Sequence, residues 1–381
     1  MNFTMNTVYL NRTAAFLPNQ PIDNDAMESV LGVAGDSPSR LRRRILASNG
    51  IVSRYYAIDP KTRQTTHSCA ELAALAIENL FSNKEEKQEV TLLSCGTSYP
   101  DQTLPGHGVM VQGLLNDFSP LEAVSLSGVC VAGMAACKYA YNAVKSGEHN
   151  TVISCAAEAA SAIMRKENFS LSKQEDETNF QPAHAFNRDF LRWMLSDGAG
   201  AFLLSNKAIS GSLKIHWIDL ISYANEMPAC MYAGGEFVGD EFLGWKEINN
   251  QNKQIDGVMN VKQNVKLLND NVIKYTVEKA FSVSLAKHSL KPDEINWFLP
   301  HYSSQFFRQK VYDGLKNIGF EIPFAKWFTN LPSKGNTGSA SIYIMLDEFL
   351  KTHHLQAGEK ILCYIPESGR FSSSFMLLEV V

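Results

Sequence analysis

A layered α/β fold built from two similar halves is what this sequence of 381 residues predicts. Two observations carry that prediction. The first half alternates short β-prone runs with amphipathic or small-residue stretches, the pattern of strands covered by helices. The second half echoes the order, and in each half a Gly/Ser turn runs into a small-residue helix: Ser127-Gly-Val-Cys-Val-Ala-Gly133 and Lys334-Gly-Asn-Thr-Gly-Ser-Ala340. A duplication on this scale, with halves at 1–205 and 206–381, puts functional residues at the junction between them.

Composition sets the limits. An apolar fraction of 45% with 19% charged residues is that of an ordinary globular protein. A net charge of -4 argues against a general nucleic-acid binder. No apolar run approaches the roughly 18 residues of a membrane span. The N-terminus has no charged region followed by an apolar stretch, so no secretory signal is expected. Seven scattered cysteines, with no Cys-x-x-Cys pair and no zinc spacing, predict reduced thiols in a cytoplasm and no bound metal.

In chain order, residues 8–18 read as a first strand and residues 24–31 as a short helix. Then comes a basic cluster, Arg40, Arg42, Arg43 and Arg44, which suits either a solvated face or a landing site for an acidic or phosphorylated partner. Residues 67–82 have helical spacing, residues 90–97 form a buried strand, and residues 104–115 a helix opened by Pro105 and Gly106. A β-prone run at 123–126 ends in Ser127-Gly128, and Cys130 then opens a helix over 131–144. Ala132, Gly133, Ala135 and Ala136 leave no bulk on its first turn, so it can sit buried. Unpaired N–H groups and the helix dipole favour a thiolate at such a place, although a small core residue fits there too. Residues 151–158 form a buried strand ending in the carboxylate of Glu158. A polar, irregular stretch over 161–195 is followed by a turn and a strand at 196–205.

The second half restarts with a strand at 213–222. Residues 223–261 lack clear periodicity, and a loop that long often forms a lid or a binding wall. A helix at 265–288, a strand at 296–301 and a helix at 304–318 follow. Residues 330–340 open another helix, to 351, and strands at 360–365 and 374–380 finish the chain.

Three segments now stand in register. Cys130 follows a strand and starts a helix; Pro300-His301 ends a strand; Gly335-Asn336-Thr337-Gly338-Ser339-Ala340 starts another helix. Their order and distances resemble the Cys-His-Asn site of thiolase-fold condensing enzymes, in particular the β-ketoacyl-acyl-carrier-protein synthase III group. Asn49-Gly50-Ile51, Asp197-Gly-Ala-Gly-Ala201 and Ser368-Gly369-Arg370-Phe371 fall where that family has its own signatures, so the resemblance covers nearly the whole chain. It implies a five-layered αβαβα thiolase fold with two duplicated halves and a cytoplasmic homodimer, with residues 104–115 near the dimer interface. It also implies acyl carrier protein or coenzyme A thioesters as partners, and no cofactor.

The resemblance implies roles as well. Cys130 attacks an acyl thioester, and its backbone N–H, with one from the Gly369-Arg370 turn, forms the oxyanion hole. His301 and Asn336 bind the carbonyl of the second thioester and stabilise its carbanion. Taken singly, His301 reads as a hydrogen-bonded core histidine and Asn336 as a helix N-cap; only their register with Cys130 selects the catalytic reading.

Departures from the family pattern narrow the expectation. His301-Tyr-Ser-Ser304 stands where the family has His-Gln-Ala-Asn, and Glu367-Ser-Gly-Arg370 replaces a glycine-rich turn. Arg44 stands in place of the tryptophan that stacks on coenzyme A adenine. These changes disfavour acetyl-CoA priming and resemble the DarB- and StlD-type ketosynthases. Those enzymes join a β-ketoacyl thioester to an α,β-unsaturated one to give dialkylresorcinol or cyclohexanedione precursors. Extra residues at 165–190 and 225–260 suit a larger pocket wall. Glu158 is the candidate acid/base, its pKa raised by burial; a structural carboxylate on backbone amides is the other reading. Arg370 pairs with Glu158 or a substrate carbonyl, or lies at the surface, and Arg40, Arg42, Arg43 and Arg44 form the expected carrier-protein dock. Competing readings are a decarboxylating synthase III using malonyl-acyl carrier protein, a quinolone-pathway relative and a catalytically silent partner subunit. A hydrolase or simple acyltransferase would not need both His301 and Asn336.

Overall fold

The computed structural model describes residues 5–34, 42–168, 191–251 and 257–381. One mixed sheet contains β1 (Val8–Phe16), β2 (Leu92–Thr97), β3 (Glu122–Ser127), β4 (Thr151–Glu158), β5 (Gly198–Ser205), β6 (Leu213–Ser222), β7 (Trp297–Pro300), β8 (Lys360–Pro366) and β9 (Ser372–Val380). Their spatial order is β7-β8-β9-β6-β1-β5-β4-β2-β3.

The duplication is visible in the pairing. β2 runs parallel to β4, β4 antiparallel to β5, and β5 antiparallel to β1. In the same way β7 runs parallel to β8, β8 antiparallel to β9, and β9 antiparallel to β6. The two units join where Val8, Tyr9 and Leu10 pair with Ile215, Lys214 and Leu213. β3 adds in parallel outside β2 and forms one edge of the sheet.

The helices that frame the core and the cavity are α1 (Arg42–Asn49), α2 (Cys69–Glu78), α3 (His107–Gln112), α4 (Ala132–Ser146), α5 (Val265–Ile273), α6 (Ala280–His288), α7 (Arg308–Asn317) and α8 (Ser341–Thr352). α2 begins with a capping box in which Ser68 Oγ accepts from the Glu71 N–H and the Glu71 carboxylate accepts from the Ser68 N–H. Successive side chains on a strand face opposite sides, and here they feed different cores. Val152, Phe202 and Leu204 pack into the cluster that holds Met134 of α4 and Leu346 of α8. Ile153, Cys155, Ala201 and Leu203 pack instead with Leu72 and Ile77 of α2. In the second half, Ile361, Cys363 and Met376 join the first of these cores, while Leu362, Phe375 and Leu377 pack with Phe281 of α6 and Val311 of α7. The result is five layers: α2, sheet, the α4 and α8 pair, sheet, then α6 and α7. This is the thiolase-like α/β fold expected from the sequence.

Glycines set the closeness of the middle layer. A Cβ on Gly200 of β5 would lie 2.4 Å from Tyr343 Cβ on α8. Tyr343 Oη in turn donates to the Gly133 carbonyl of α4 at 2.7 Å, tying the two central helices together.

Three elements differ from the sequence expectation. Residues 223–261 are not structureless: Gly235–Val238 and Glu241–Gly244 pair as a hairpin, and Trp245–Asn250 is a helix. Its two-residue Gly239-Asp240 turn, with Gly239 at φ +65°, is a hairpin signal that the low periodicity masked. The helix expected over 265–288 carries a π-helical turn at Lys274–Lys279 between α5 and α6. α3 stops at Gln112, followed by Gly113, and is half the expected length. Of the stretches expected to enlarge the pocket wall, residues 169–190 and 252–256 lie outside the described residues, as does Arg40. Among the described residues no helix is long and apolar enough to cross a membrane.

Candidate active site

The parallel strands of each half point their C-terminal ends toward one cavity of about 760 Å³. Ligands favour the carboxyl ends of parallel strands, because chain reversals there leave a crevice between connections. Ser98 follows β2, Cys130 follows β3, Glu158 ends β4 and His301 follows β7. All four line the cavity, and Asn336 joins them from the turn before α8.

Cys130 sits on a tight turn closed by the Ala132 N–H donating to the Val129 carbonyl at 3.0 Å. Two glycines allow that turn its place: a Cβ on Gly96 would lie 2.4 Å from the Ala132 carbonyl oxygen, and one on Gly133 2.3 Å from that of Ser339. The Cys130 turn is thus wedged between the end of β2 and the opening of α8.

The thiol's state corrects one expectation. Burial raises the Cys130 pKa, and the carboxylates of Glu367 and Glu158 raise it further. The helix N-terminus does not outweigh them, so the resting residue is a thiol.

His301 is placed by its backbone, whose N–H donates to the Tyr364 carbonyl at 2.8 Å and extends the β7–β8 pairing. Its ring is buried, and desolvation brings its pKa down from 6.5 to about 4. A neutral imidazole has one N–H to give a developing oxyanion. The sign of its pH effect follows. Because the folded value lies below the ordinary one, the neutral ring's contribution to stability is present above 6.5 and is lost as the pH falls toward 4. Condensation by pre-acylated enzyme is therefore expected to show no acidic limb from His301 between about pH 8 and about pH 5.5. A pH–rate profile with a limb near 6.5 that vanishes in His301→Asn would overturn this.

Asn336 is held on both sides. Its N–H donates to the Met194 carbonyl at 3.0 Å and its carbonyl accepts from Ser196 at 2.9 Å. Its side-chain Oδ1 accepts from the Gly338 N–H at 3.0 Å. That donor fixes which way the amide points, and Nδ2 remains to donate. It does not cap α8, which starts at Ser341. Gly338 has φ +52°, and a Cβ there would lie 3.0 Å from Glu158 Oε1, so this turn requires glycine.

Glu158 is bonded to backbone amides, as the structural reading of the sequence expected. Its Oε1 accepts from Ser98 N–H at 3.0 Å, Ser98 Oγ at 2.6 Å, Ser339 N–H at 3.0 Å and Ser339 Oγ at 2.5 Å. It therefore stitches the two halves together, yet it also lines the cavity. Burial raises its pKa against the opposing pull of those hydrogen bonds.

Glu367 is a residue beside the Cys130 turn that sequence reasoning did not select. It is 8% exposed, and its Oε2 accepts from the Val129 N–H at 3.1 Å, next to Cys130. The N–H groups of Val131 and Arg370 also act on this carboxylate, which burial nonetheless raises in pKa. The signal was present as the loss of glycine from the family's C-terminal turn.

Other candidates fall elsewhere. The Arg370 N–H serves Glu367, and its exposed side chain donates from Nε to the Met227 carbonyl at 3.0 Å, so it pairs with neither Glu158 nor the cavity. Gly369 is buried, its carbonyl accepting from Cys230 at 2.8 Å, and Ser368 is the residue of that turn that lines the cavity. Arg42 is turned inward, bonded to Glu28 at 2.7 Å because that buried carboxylate needs a partner. Arg43 and Arg44 are exposed. Among the described residues the side chains grouped closely enough to hold a metal ion are Glu122, Glu148 and His149, none of which lines the cavity.

Comparison with known proteins agrees with this geometry. Residues 285–365, which hold β7 and both His301 and Asn336, match the family described as 3-oxoacyl-(acyl-carrier-protein) synthase III C terminal. A β-ketoacyl-(acyl-carrier-protein) synthase III of Xanthomonas euvesicatoria pv. vesicatoria (strain 85-10) is 23% identical over 358 residues, 92% of this chain and 91% of that one. Among solved structures, the tetronic acid condensing enzyme AbyA1 aligns at a TM-score of 0.73 and 18% identity, over 98% of this chain and 100% of that one. The 3-oxoacyl-(acyl-carrier-protein) synthase III of Aquifex aeolicus VF5 aligns at 0.70 and 20%, over 98% and 99%. The chain has the thiolase-like α/β fold of these structures. By its matches it is synthase III-like, similar to condensing enzymes of acyltransferase type.

Proposed function

We propose that the protein is a ketosynthase joining two acyl thioesters through an acyl-Cys130 intermediate. Its substrates are a β-ketoacyl thioester and an α,β-unsaturated acyl thioester, and its product is a cyclohexanedione or dialkylresorcinol precursor of secondary metabolism. The supporting observation is the single cavity that holds Cys130, His301, Asn336 and Glu158, with Met194, Met231, Val261, Leu268 and Val272 among its apolar walls. At about 760 Å³ it far exceeds what a two-carbon primer needs, and its methionines adapt to differing chains.

In this reading Cys130 Sγ attacks the first thioester carbonyl, the departing thiolate takes up the proton, and the Cys130 N–H stabilises the oxyanion. His301 and Asn336 Nδ2 then hold the carbonyl of the second thioester. Glu158, its proton affinity raised by burial, removes the α-proton; the carbanion attacks the acyl-Cys130 carbonyl, the carbon–carbon bond forms as the C–S bond breaks, and the departing Cys130 thiolate regains the proton that Glu158 took up. The enzyme works as a cytoplasmic homodimer on carrier-protein or coenzyme A thioesters. Support for the dimer is the uncovered edge of β3 beside exposed Leu104, Val109, Met110 and Leu114. Among the described residues of the basic cluster, Arg43 and Arg44 are exposed and able to meet a carrier protein.

A second reading, decarboxylative elongation with malonyl-acyl carrier protein, draws on the name of the curated relative. Intact mass spectrometry of wild type and Cys130→Ala with saturated, β-keto and α,β-unsaturated thioesters, with and without malonyl donor, separates the two. A Cys130-dependent adduct and a cyclic product from two non-malonyl thioesters are expected. Product only with malonyl donor would return the protein to the decarboxylative reading, and no adduct with any donor would leave it a silent subunit.

A further inference from the structure

Met231, Val261, Leu268 and Val272 build an apolar cavity wall, and Gln263 is set into it. Its place is imposed by the backbone. Lys262-Gln263 pairs antiparallel with Met231-Tyr232, with Gln263 opposite Met231. Side chains alternate along a strand, so Lys262 turns away to pair with Glu236 while Gln263 turns to the cavity. The next residue, Asn264, caps α5, its Oδ1 accepting from the Leu267 N–H at 2.9 Å, which fixes the register of this short strand. The Cys230 N–H donates to the Gly369 carbonyl at 2.8 Å, and a Cβ on Gly369 would lie 3.0 Å from Val129 Cγ2. The wall that carries Gln263 is thereby fastened to the turn that presents Cys130.

The direction of the Gln263 amide is set as well. Nε2 lies 3.0 Å from the Cys230 carbonyl oxygen and 3.1 Å from Cys230 Sγ. A carbonyl only accepts, so the nitrogen must face it and Oε1 faces the other way. The residue is 2% exposed. Among the described residues Oε1 accepts from no donor, and unlike the closed-off Tyr302 Oη and Trp193 Nε1 it remains accessible, on the cavity side. Buried polar groups in native proteins are almost always paired, and an acceptor left accessible on a cavity wall points to a donor on a bound molecule. The class of that donor follows from the surroundings. Apolar neighbours suit an acyl chain, and the strong hydrogen-bond donor that an acyl chain can carry is a hydroxyl.

We propose that Gln263 is a specificity-determining residue whose Oε1 accepts from a hydroxyl along the acyl chain, so that this wall selects a hydroxyacyl chain over a saturated chain of equal length. The proposal rests on the reading above that the cavity takes acyl thioesters.

The test is the affinity of Cys130→Ala, which leaves the thioester intact, for thioesters of one chain length and one thiol arm. The chains are saturated or carry a single hydroxyl at successive positions, and binding is read by calorimetry. The best hydroxyacyl chain is expected to bind about tenfold more tightly than the saturated one, the discrimination of one buried hydrogen bond. Adding Gln263→Met, of similar length without the acceptor, should bring the ratio to about one. This variant should still fold, because the Cys230 carbonyl keeps the Asn264 N–H at 2.8 Å. Gln263→Glu should keep the preference. Burial favours its neutral acid, whose O–H replaces Nε2 at Cys230 and whose other oxygen still accepts. A ratio near one at every hydroxyl position, or a ratio unchanged by Gln263→Met, would overturn the proposal. So would equal loss of affinity for all chains on an amide-bearing thiol arm but not on an arm without amides, which would assign Gln263 to the arm. Binding of no thioester would overturn it together with the proposed function. Carbon–carbon product is followed with wild type and the same thioesters. A preference that depends on Gln263, with no such product from any pair, would remove the ketosynthase reading and leave the role of Gln263 standing.

Discussion

Asn336→Ala is expected to leave acylation of Cys130 within about twofold of wild type while slowing carbon–carbon bond formation by about 10²–10³-fold, the usual cost of removing one oxyanion donor. Cys130→Ala is expected to abolish both steps. The separation follows from geometry. Asn336 reaches the cavity from the second half of the chain, its Oδ1 engaged by Gly338, and only its Nδ2 is left to meet a substrate oxygen. The acyl-enzyme step needs the nucleophile and its backbone donor, both on the β3–α4 turn. Asn336→Asp is the control, because it keeps an acceptor for Gly338 and removes only the donor. It should be at least as impaired in condensation, since a carboxylate would face a developing negative charge. Rapid quenching of pre-acylated enzyme against the second thioester measures the second step alone. Equal loss in both steps would make Asn336 a structural residue, whose substitution disturbs the Gly338 turn and, through Glu158, the nucleophile.

That Cys130 and Asn336 would meet at one cavity was legible in the sequence because each sits on a turn that is written locally. Ser127-Gly128 before Cys130, and Gly335 and Gly338 around Asn336, are turn chemistry that a short window contains. The paired halves were legible for the same reason, as two Gly/Ser turns feeding small-residue helices. What the sequence concealed depends on distant contacts. Glu367 lies 238 residues from the Val129 amide that it accepts from, and no periodicity joins them. The protonation of Cys130 was misjudged because the helix N-terminus is a local signal, whereas the burial and the two carboxylates that oppose it come from other elements. Arg42 looked like its neighbours Arg43 and Arg44 until the fold brought Glu28 beneath it.

Glu367→Gln is expected to move two rates in opposite directions. Alkylation of Cys130 by iodoacetamide at neutral pH should rise by about three- to tenfold, while steady-state turnover falls by about tenfold. The first effect is electrostatic. A carboxylate beside a thiol disfavours its ionisation, so a neutral amide lowers the Cys130 pKa and enlarges the thiolate fraction at a given pH. The second is positional. The Glu367 carboxylate accepts from Val129 at 3.1 Å, with the N–H groups of Val131 and Arg370 also directed to it. It thereby holds the amides on either side of Cys130 and leaves the Cys130 N–H between them for the oxyanion. Glutamine keeps one acceptor but turns an N–H donor toward amides that need an acceptor, and the turn loses its fixed geometry. The pH dependence of the alkylation rate is the deciding measurement. A profile shifted to lower pH with slower turnover assigns Glu367 to positioning the nucleophile while restraining its ionisation. An unshifted profile would mean that Glu367 carries no charge in the resting enzyme, and a fall in both rates would make it only a strut of the fold.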